Sequence, residues 1–345
     1  MEKIDYPNSL IVINKSFANF FDYINDVNHL DIIYLIDENV LRIHKNIFSN
    51  HFKVISILSG EKAKYLQNIN EIIQKIIDLG GNKNTCIIGV GGGVTCDIAG
   101  FIASIYMRGV RFGFVPTTLL AITDASLGGK NGVNFNKVKN ILGVINEPDF
   151  VFIDYSFLKT LPSKEFVNGF AEIIKHACIS SKKLFTDLEK NIDNYLKLIK
   201  YPEQADFNIL NNLICDSIKI KLDIVSLDRN ENSIRKNLNY GHTFGHAIES
   251  EFNISHGSAI SLGMIISNMI SNKLGYINNK GLLRISSLLY RYGLPVDVLN
   301  YNKKDLILLI QKDKKSSGKM IDFVMLKEIG SSFVESLNIQ KIIDV

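Results

Sequence analysis

Short runs of β-branched and aromatic residues alternate with stretches of helical spacing through the first 155 residues. Leu10–Ile13, Ile32–Ile36, Val54–Leu58, Cys86–Val90, Phe112–Val115 and Val151–Ile153 read as strands. Several are apolar throughout, as a sheet covered on both faces requires. Between them, Lys62–Leu79 and Val94–Tyr106 repeat apolar positions at helical intervals, so the rhythm is β-α-β and the sheet parallel and doubly wound. Past Leu161 and Pro162 the texture changes. Glu165–Ile179, Lys182–Ile199, Asp206–Leu227, Phe244–Glu251 and Ala259–Leu274 all carry helical periodicity, and only Ile321–Leu326 and Phe333–Ser336, bracketing Ile329 and Gly330, read as a late hairpin. The fold class is α/β: a doubly wound α/β domain over residues 1–160, then a mostly α-helical domain over 161–345. No internal repeat or low-complexity linker separates the halves, which are expected to pack around a shared cleft.

Composition narrows the possible functions. At about 150 residues per domain, 345 residues leave room for two cores without disulfide help. A net charge of +4 from 39 basic and 35 acidic side chains is too balanced for a nucleic-acid footprint, so small molecules are the expected partners. Cys86, Cys96, Cys178 and Cys215 are widely spaced in apolar stretches and form no CxxC pair. That argues against a disulfide framework or a thiolate zinc site and for a reducing compartment. Met1–Leu10 lacks the basic and apolar sections of a signal peptide, and no apolar run reaches the length of a membrane span. The expected location is the cytoplasm.

Candidate chemistry concentrates in four places. Cys86–Gly100 runs strand, glycine loop, helix, and Gly91, Gly92 and Gly93 would let a phosphate approach the N–H groups at a helix start. The loop is not GxGxxG, because Val94 holds the last position, and the alternative to a phosphate cradle is a tight strand-to-helix turn. Asp37, ending a strand, suits either a ribose hydroxyl or a helix N-cap. His242 and His246 share a helical face and His256 follows, so three of seven histidines fall within fifteen residues. Thr243 stands where HExxH has its glutamate, which argues against a metalloprotease. A catalytic metal with one open position fits the cluster, against the alternative of solvated or core histidines. Glu172, Lys175 and His176 share a face of an otherwise apolar helix, as a surface ion pair or as the missing carboxylate ligand with a lysine beside it. Asp124–Asn140, glycine-rich and carrying Lys130, Lys137 and Lys139, shows neither period and reads as a structured loop suited to an anion or as a solvated surface loop, the commoner fate of a lysine-rich stretch.

Taken together, these residues resemble the 3-dehydroquinate synthase family. The blocks are Gly91-Gly-Gly-Val-Thr-Cys-Asp, Tyr106-Met-Arg-Gly-Val-Arg, Val115-Pro-Thr-Thr-Leu-Leu-Ala, Asp124-Ala-Ser-Leu-Gly-Gly-Lys, Lys139-Asn, Ala171-Glu-Ile-Ile-Lys, Asn239-Tyr-Gly-His-Thr-Phe-Gly-His-Ala and His256-Gly. Weaker matches, Ser59-Gly-Glu-Lys-Ala-Lys and Asp313-Lys-Lys, extend the resemblance nearly end to end. It implies an N-terminal NAD-binding domain and a helical metal- and substrate-binding domain. The implied activity is a lyase step of the shikimate route of aromatic amino acid biosynthesis, converting 3-deoxy-D-arabino-heptulosonate 7-phosphate to 3-dehydroquinate and phosphate. NAD is recycled, and a divalent metal, zinc or cobalt, assists. The implied sequence is alcohol oxidation, phosphate elimination, ketone reduction, ring opening and intramolecular aldol closure.

The resemblance also implies roles. Glu172, His242 and His256 become the metal ligands, whereas spacing alone favours both members of the His242/His246 pair. His246 then contacts substrate, as do Lys175 and Asp124, and Lys130 with Asn140 holds the phosphate, Lys130 also adjoining the cofactor. Asp124, Lys130, Lys175, Glu231 and His246 form the implied catalytic set. Lys221, Glu231, Arg235 and Asn239 fall on polar cleft positions, Arg235 pairing with Lys314 or Lys315 as a carboxylate clamp. For NAD the matching positions are Asp37, Asn39, Glu61, Lys64, Gly91, Gly92, Gly93, Val94, Thr95, Asp97, Thr117, Thr118, Lys130, Lys139, Phe157 and Thr160. Arg108 is expected to reach the phosphate of a neighbouring subunit in a homodimer. Ala177 and Cys96 depart from the family pattern away from these roles. The competing readings are a sister cyclase using an uncarboxylated sugar phosphate, a metal-dependent polyol dehydrogenase, and a metal-binding protein without catalysis.

Overall fold

The computed structural model describes residues 2–7, 9–24, 30–48, 53–136, 138–298 and 320–338. The chain divides into two compact units, Met1–Pro162 with Pro202–Asn211, and Ser163–Tyr201 with Asn212–Val345. No local sequence pattern announces the return of Pro202–Asn211 to the first unit.

The strands of the first unit are β1 (Glu2–Tyr6), β2 (Ser9–Ile13), β3 (Asp31–Asp37), β4 (Lys53–Ile57), β5 (Thr85–Gly91), β6 (Arg111–Pro116), β7 (Lys130–Phe135), β8 (Val138–Ile145) and β9 (Phe150–Ile153). Seven form one sheet in the order β1-β2-β9-β6-β5-β3-β4, parallel except for β1 at the edge. Every residue of β5 and of β9 is buried, the consequence of apolar runs covered on both faces. The unit's helices are α1 (Phe20–Tyr23), α2 (Glu38–Ile43), α3 (Leu66–Asp78) and α4 (Gly93–Ile105). From β3 the chain passes through α2 outward to β4, and α3 returns it to β5 on the other side of β3. Winding therefore reverses between β3 and β5, and the crevice beyond their carboxyl ends is where doubly wound sheets bind ligands. An aromatic core of Phe17, Phe20, Phe48, Phe150, Phe152 and Phe157 packs against the sheet.

One expectation is corrected here. Asp124–Asn140 is not an irregular loop: after a π-helical turn at Ala121–Ala125, β7 and β8 form an antiparallel ribbon. The strand period is hidden because buried positions of β7 are polar, Asn131 donating from Nδ2 to the carbonyls of Gly129 (2.9 Å) and Asn146 (2.8 Å).

The second unit holds α5 (Ser163–Ser180), α6 (Lys182–Lys190), α7 (Ile192–Lys200), α8 (Asn211–Leu227), α9 (His242–Phe252), α10 (His256–Lys273), α11 (Asn279–Arg291) and the hairpin β10 (Met320–Glu328) with β11 (Ser331–Asn338). The single helix expected over Lys182–Ile199 is two, parted at Asn191, whose backbone leaves the helical region. Its Nδ2 donates back to Asp187 Oδ1 at 2.7 Å. Phe244, Ile248, Leu262 and Ile270 of α9 and α10 share a core with Ile321, Phe323, Met325 and Leu337 of the hairpin. The hairpin turn is tied to α5 by Gly330 N–H on the Cys178 carbonyl (2.8 Å). All four cysteines are buried free thiols, and burial pushes Cys86 up to about 12. Among the described residues no helix is long and apolar enough to cross a membrane.

Candidate nucleotide cradle and metal centre

The glycine loop connects β5 to α4 at the reversal of winding. Gly92 caps α4 without a side-chain bond and the first turn holds no acidic residue, so the positive end of the helix is uncompensated. A Cβ on Gly91 would lie 2.6 Å from Thr95 Oγ1 and one on Gly93 3.0 Å from Ala125 Cβ, so the backbone path is open only to glycine. Thr95 Oγ1 is buried without a hydrogen-bond partner among the described residues. A buried orphan hydroxyl beside helix N–H groups is the donor set a pyrophosphate needs, and these residues fit a dinucleotide.

Other expected cofactor residues prove to be wired together. Lys64, only 2% exposed, donates from Nζ to Asp97 Oδ2 at 2.6 Å and to Asn140 Oδ1. The Asn140 N–H donates to Asn134 Oδ1 (2.9 Å), and Asn134 Nδ2 to Glu61 Oε2 (3.2 Å). Asp37 acts as the N-cap of α2, accepting from the N–H groups of Asn39 (2.9 Å) and Val40 (3.4 Å), and it also accepts from Ser59 Oγ (2.9 Å). The Asn39 amide reaches Ser59 Oγ in turn (2.8 Å). Thr117 N–H holds the Gly91 carbonyl (2.9 Å), and the Thr118 methyl would meet a Cβ on Gly92 at 3.2 Å. The Phe157 ring belongs to the aromatic core, 6.3 Å from Phe17, so that side chain is committed to packing. Thr160 Oγ1 pairs with Nε2 of His44, a residue no motif singled out, and burial lowers the His44 pKa. Lys130 and Lys139 are exposed. Arg108 is exposed too, on a turn where Met107 and Arg108 both have left-handed backbone (φ 47° and 62°). Lys83, also missed by sequence reasoning, clamps this turn by donating to the carbonyls of Met107 (3.0 Å) and Gly109.

The second unit assembles the histidine cluster from three helices. Glu172 on α5 is fully buried. Gly257 N–H donates to Asn168 Oδ1 (3.2 Å), and a Cβ on Gly257 would come 2.6 Å from Asn168 Cα, so α10 begins hard against α5. At Gly263 a Cβ would come 1.9 Å from the Gly241 carbonyl, so α10 and the start of α9 also touch through backbone. These approaches bring one ligand atom each from Glu172, His242 and His256 within 4.8 Å of one another. His242 Nε2 lies 3.5 Å and His256 Nε2 3.0 Å from the same Glu172 Oε1. Both rings direct Nδ1 elsewhere. His242 Nδ1–H donates to the Tyr240 carbonyl (3.2 Å), and His256 Nδ1 faces Glu249 Oε2 (3.1 Å).

Two imidazole Nε2 atoms and a carboxylate oxygen therefore converge on one volume, a donor set that could hold a cation. These residues fit a divalent metal of the zinc type. Burial first, then the Lys175 charge, holds His242 well below its ordinary pKa, the neutral form a ligand needs. Burial also disfavours charge on His256, but hydrogen bonds donated to Glu172 and Glu249 overcome it and raise the group to about 10. Positive charge is favoured at that spot. His246 is exposed, its ring 5.1 Å from His242, and stands outside the Glu172 trio. Lys175 Nζ sits 2.5 Å from Glu172 Oε2, and both side chains are buried. The i,i+3 pair is thus internal, not a surface ion pair.

Polar positions of the helical unit cluster at the loop before α9. Asp228 organises it, accepting from the N–H groups of Asn232 (2.9 Å), Ser233 (2.7 Å) and Arg235 (3.1 Å). Burial would raise the Asp228 carboxyl, but the Ser233, Asn232 and Arg235 donors outweigh it and pull it to about 2. Arg235 is 2% exposed, with Nη1 on the Arg229 carbonyl (2.6 Å). Glu231, at left-handed φ 60°, accepts from Asn239 Nδ2 at 2.5 Å. Those two line a cavity of about 150 Å³ with Lys236, Thr243, Asp322 and Val324. Lys221 is buried on α8, while Lys314 and Lys315 lie outside the described residues. A larger cavity, about 450 Å³ between α6 and α11, contains none of the expected site residues.

Residues 54–168 match the family model described as 3-dehydroquinate synthase N-terminal, and residues 169–316 the one described as 3-dehydroquinate synthase C-terminal. The chain belongs to the 3-dehydroquinate synthase family. It is 40% identical over 304 residues to the 3-dehydroquinate synthase of Thermoanaerobacter pseudethanolicus, covering 87% of this chain and 83% of that one. Among solved structures, 2-epi-5-epi-valiolone synthase from Streptomyces hygroscopicus, with NAD+ and Zn2+ bound, superposes with TM-score 0.86 at 23% identity, covering 100% of this chain and 96% of that one. A 2-deoxy-scyllo-inosose synthase complexed with carbaglucose-6-phosphate, NAD+ and Co2+ gives 0.85 at 24%, covering 99% and 98%. At those identities the superpositions show a shared fold. For a 3-dehydroquinate synthase relative, sequence reasoning missed Lys83, Glu249 and Asp228. Each acts by holding backbone or another side chain, a role no motif announces.

Proposed function

We propose that this protein converts 3-deoxy-D-arabino-heptulosonate 7-phosphate to 3-dehydroquinate and phosphate in the cytoplasm, with NAD and one divalent metal as cofactors. The observation that carries this reading is the convergence of Glu172, His242 and His256, with Lys175 against them, in a chain of this family. When bound, NAD supplies a hydride acceptor that is returned unchanged, and the cation supplies a Lewis acid for the substrate oxygen.

The remaining roles belong to the chain. Glu172, His242 and His256 hold the cation. Lys175, its Nζ 2.5 Å from Glu172 Oε2, donates to a substrate hydroxyl. His246, exposed beside the ligands, and Asp124 take further substrate contacts, and Lys130 with Asn140 the phosphate. Arg235 grips the substrate carboxylate bidentately, with Lys314 or Lys315 as its partner. A cyclase of uncarboxylated sugars has no use for that guanidinium. Asp37, Asn39, Glu61, Lys64, Gly91, Gly92, Gly93, Val94, Thr95, Asp97, Thr117, Thr118, Lys130, Lys139 and Thr160 serve NAD, while the Phe157 ring, packed in the aromatic core, takes no direct part. Arg108 serves the second copy of a homodimer.

The test is incubation of the metal-loaded protein with the heptulosonate phosphate and NAD, following phosphate release and product mass. Phosphate should appear in step with substrate loss while absorbance from reduced nicotinamide stays flat. Stoichiometric NADH accumulation would make the protein a dehydrogenase and overturn the proposal.

A further inference from the structure

We infer that Glu249 is a positioning residue for the metal centre, holding His256 in the tautomer and orientation that turn Nε2 toward Glu172. This rests on the metal-binding reading above and adds to it a carboxylate outside the ligand trio. Glu249 lies on α9, one helical turn beyond His246, and its Oε2 is 3.1 Å from His256 Nδ1. His256 is the first residue of α10 and its side chain is 30% exposed, so its ring is less enclosed than that of His242. His242 is different. It is 13% exposed and its Nδ1–H is fixed by the Tyr240 carbonyl, part of a backbone anchored where Tyr240 Oη donates to buried Asn268 at 2.7 Å. The two histidine ligands thus have unequal supports, a carbonyl for one and a carboxylate for the other. A carboxylate on Nδ1–H fixes the proton there, leaves the Nε2 lone pair free and makes the imidazole a stronger donor. Glu249 reaches the centre through His256, whose Nδ1 it holds while Nε2 of the same ring faces Glu172.

Glu249, His246 and His256 also present ligand atoms within 4.8 Å of one another. A cation bound there would make Glu249 a ligand instead. The geometry favours positioning, because a cation on Nδ1 would have to displace the proton shared with Glu249.

The test is titration of the chelator-treated full chain with Co2+, read by its visible d–d bands, with Zn2+ competition to obtain affinities. Wild type should bind one equivalent. Glu249→Ala should weaken binding about 10–100-fold and alter the band pattern. Glu249→Gln, isosteric and still able to accept from Nδ1–H, should lose roughly 10-fold or less and keep the wild-type bands, because orientation survives while the charge does not. Glu251→Gln removes a charge from an exposed position on the same helix and should change the affinity less than about 2-fold. Circular dichroism spectra of the metal-free variants should match that of wild type, which separates the effect from loss of fold. Unchanged affinity and bands in Glu249→Ala, with His256→Ala strongly weakened, would sink the Glu249 role and leave the metal centre standing. A wild type that binds two equivalents, falling to one in Glu249→Ala, would make Glu249 a ligand. If wild type and His256→Ala bind Co2+ equally poorly, the metal reading itself fails.

Discussion

Neutralising Glu172 tests the internal charge balance of the helical unit without any substrate or metal present. Lys175 Nζ is 2.5 Å from Glu172 Oε2, with side-chain exposures of 2% and 0%. Glu172→Gln keeps the shape and leaves an ammonium facing a neutral amide with almost no water to solvate it. Breaking a buried pair in this way costs about 3–5 kcal/mol, and the amide oxygen, still able to accept, puts the expectation near 3. At roughly 2–4 °C per kcal/mol for a domain of this size, the unfolding midpoint of the metal-free protein should fall by roughly 6–12 °C. Lys175→Met should cost less, about 1–3 kcal/mol, because the carboxylate still has His256 as a donor at 3.0 Å. The double variant should be more stable than the sum of the single losses by at least about 2 kcal/mol, since both charges are then gone. Circular dichroism melts in chelator supply all four midpoints. Additive losses, or a Glu172→Gln midpoint unmoved from wild type, would mean the pair is solvated, and the argument from burial would be wrong.

Three further outcomes are expected. Gly263→Ala drives a Cβ to within 1.9 Å of the Gly241 carbonyl, so α9 and α10 must part. That should cost about 1–3 kcal/mol and lower Co2+ affinity with it, and a variant melting and binding like wild type would deny the close approach. Asp228→Asn should destabilise at neutral pH. Because the folded carboxyl titrates near 2, its contribution is complete above the unfolded value of about 4 and disappears as pH falls through the folded one. Urea midpoints of variant and wild type should therefore converge in acid, and a gap independent of pH would contradict the assignment. Arg235→Leu should retain NAD and metal yet lose roughly one to two decades of kcat/KM on the carboxylated sugar phosphate, with lysine restoring only part. An unchanged rate would remove the carboxylate clamp.

Much of the first unit was legible because its strands are apolar on both faces. Six of the seven sheet strands follow from β-branched runs alone; β1 does not, since Glu2–Tyr6 is a charged edge strand. The β7–β8 ribbon was hidden for the opposite reason, its buried side carrying Asn131 and Asn134 where a strand pattern would show apolar residues. Helix α11 carried enough periodicity to be found, with Ile285, Leu288 and Leu289 inward, but had no motif to draw attention to it.

The histidine cluster shows the division of labour most clearly. Spacing places His242 and His246 on one helical face, and chemistry alone makes that pair as good as any other. Residue types and order along the chain determine which groups are available, and those are legible because chemistry is a property of single side chains and local period. Which of them converge depends on distances between helices, and those depend on small features. Gly257 lets α10 lie on α5, Gly263 lets it lie on the chain entering α9, and His256 at the start of α10 thereby meets Glu172 while His246, a turn along α9, faces outward. Supporting groups such as Glu249, Asp228 and Lys83 are visible only there, because a hydrogen bond between residues distant in sequence leaves no periodic trace along it.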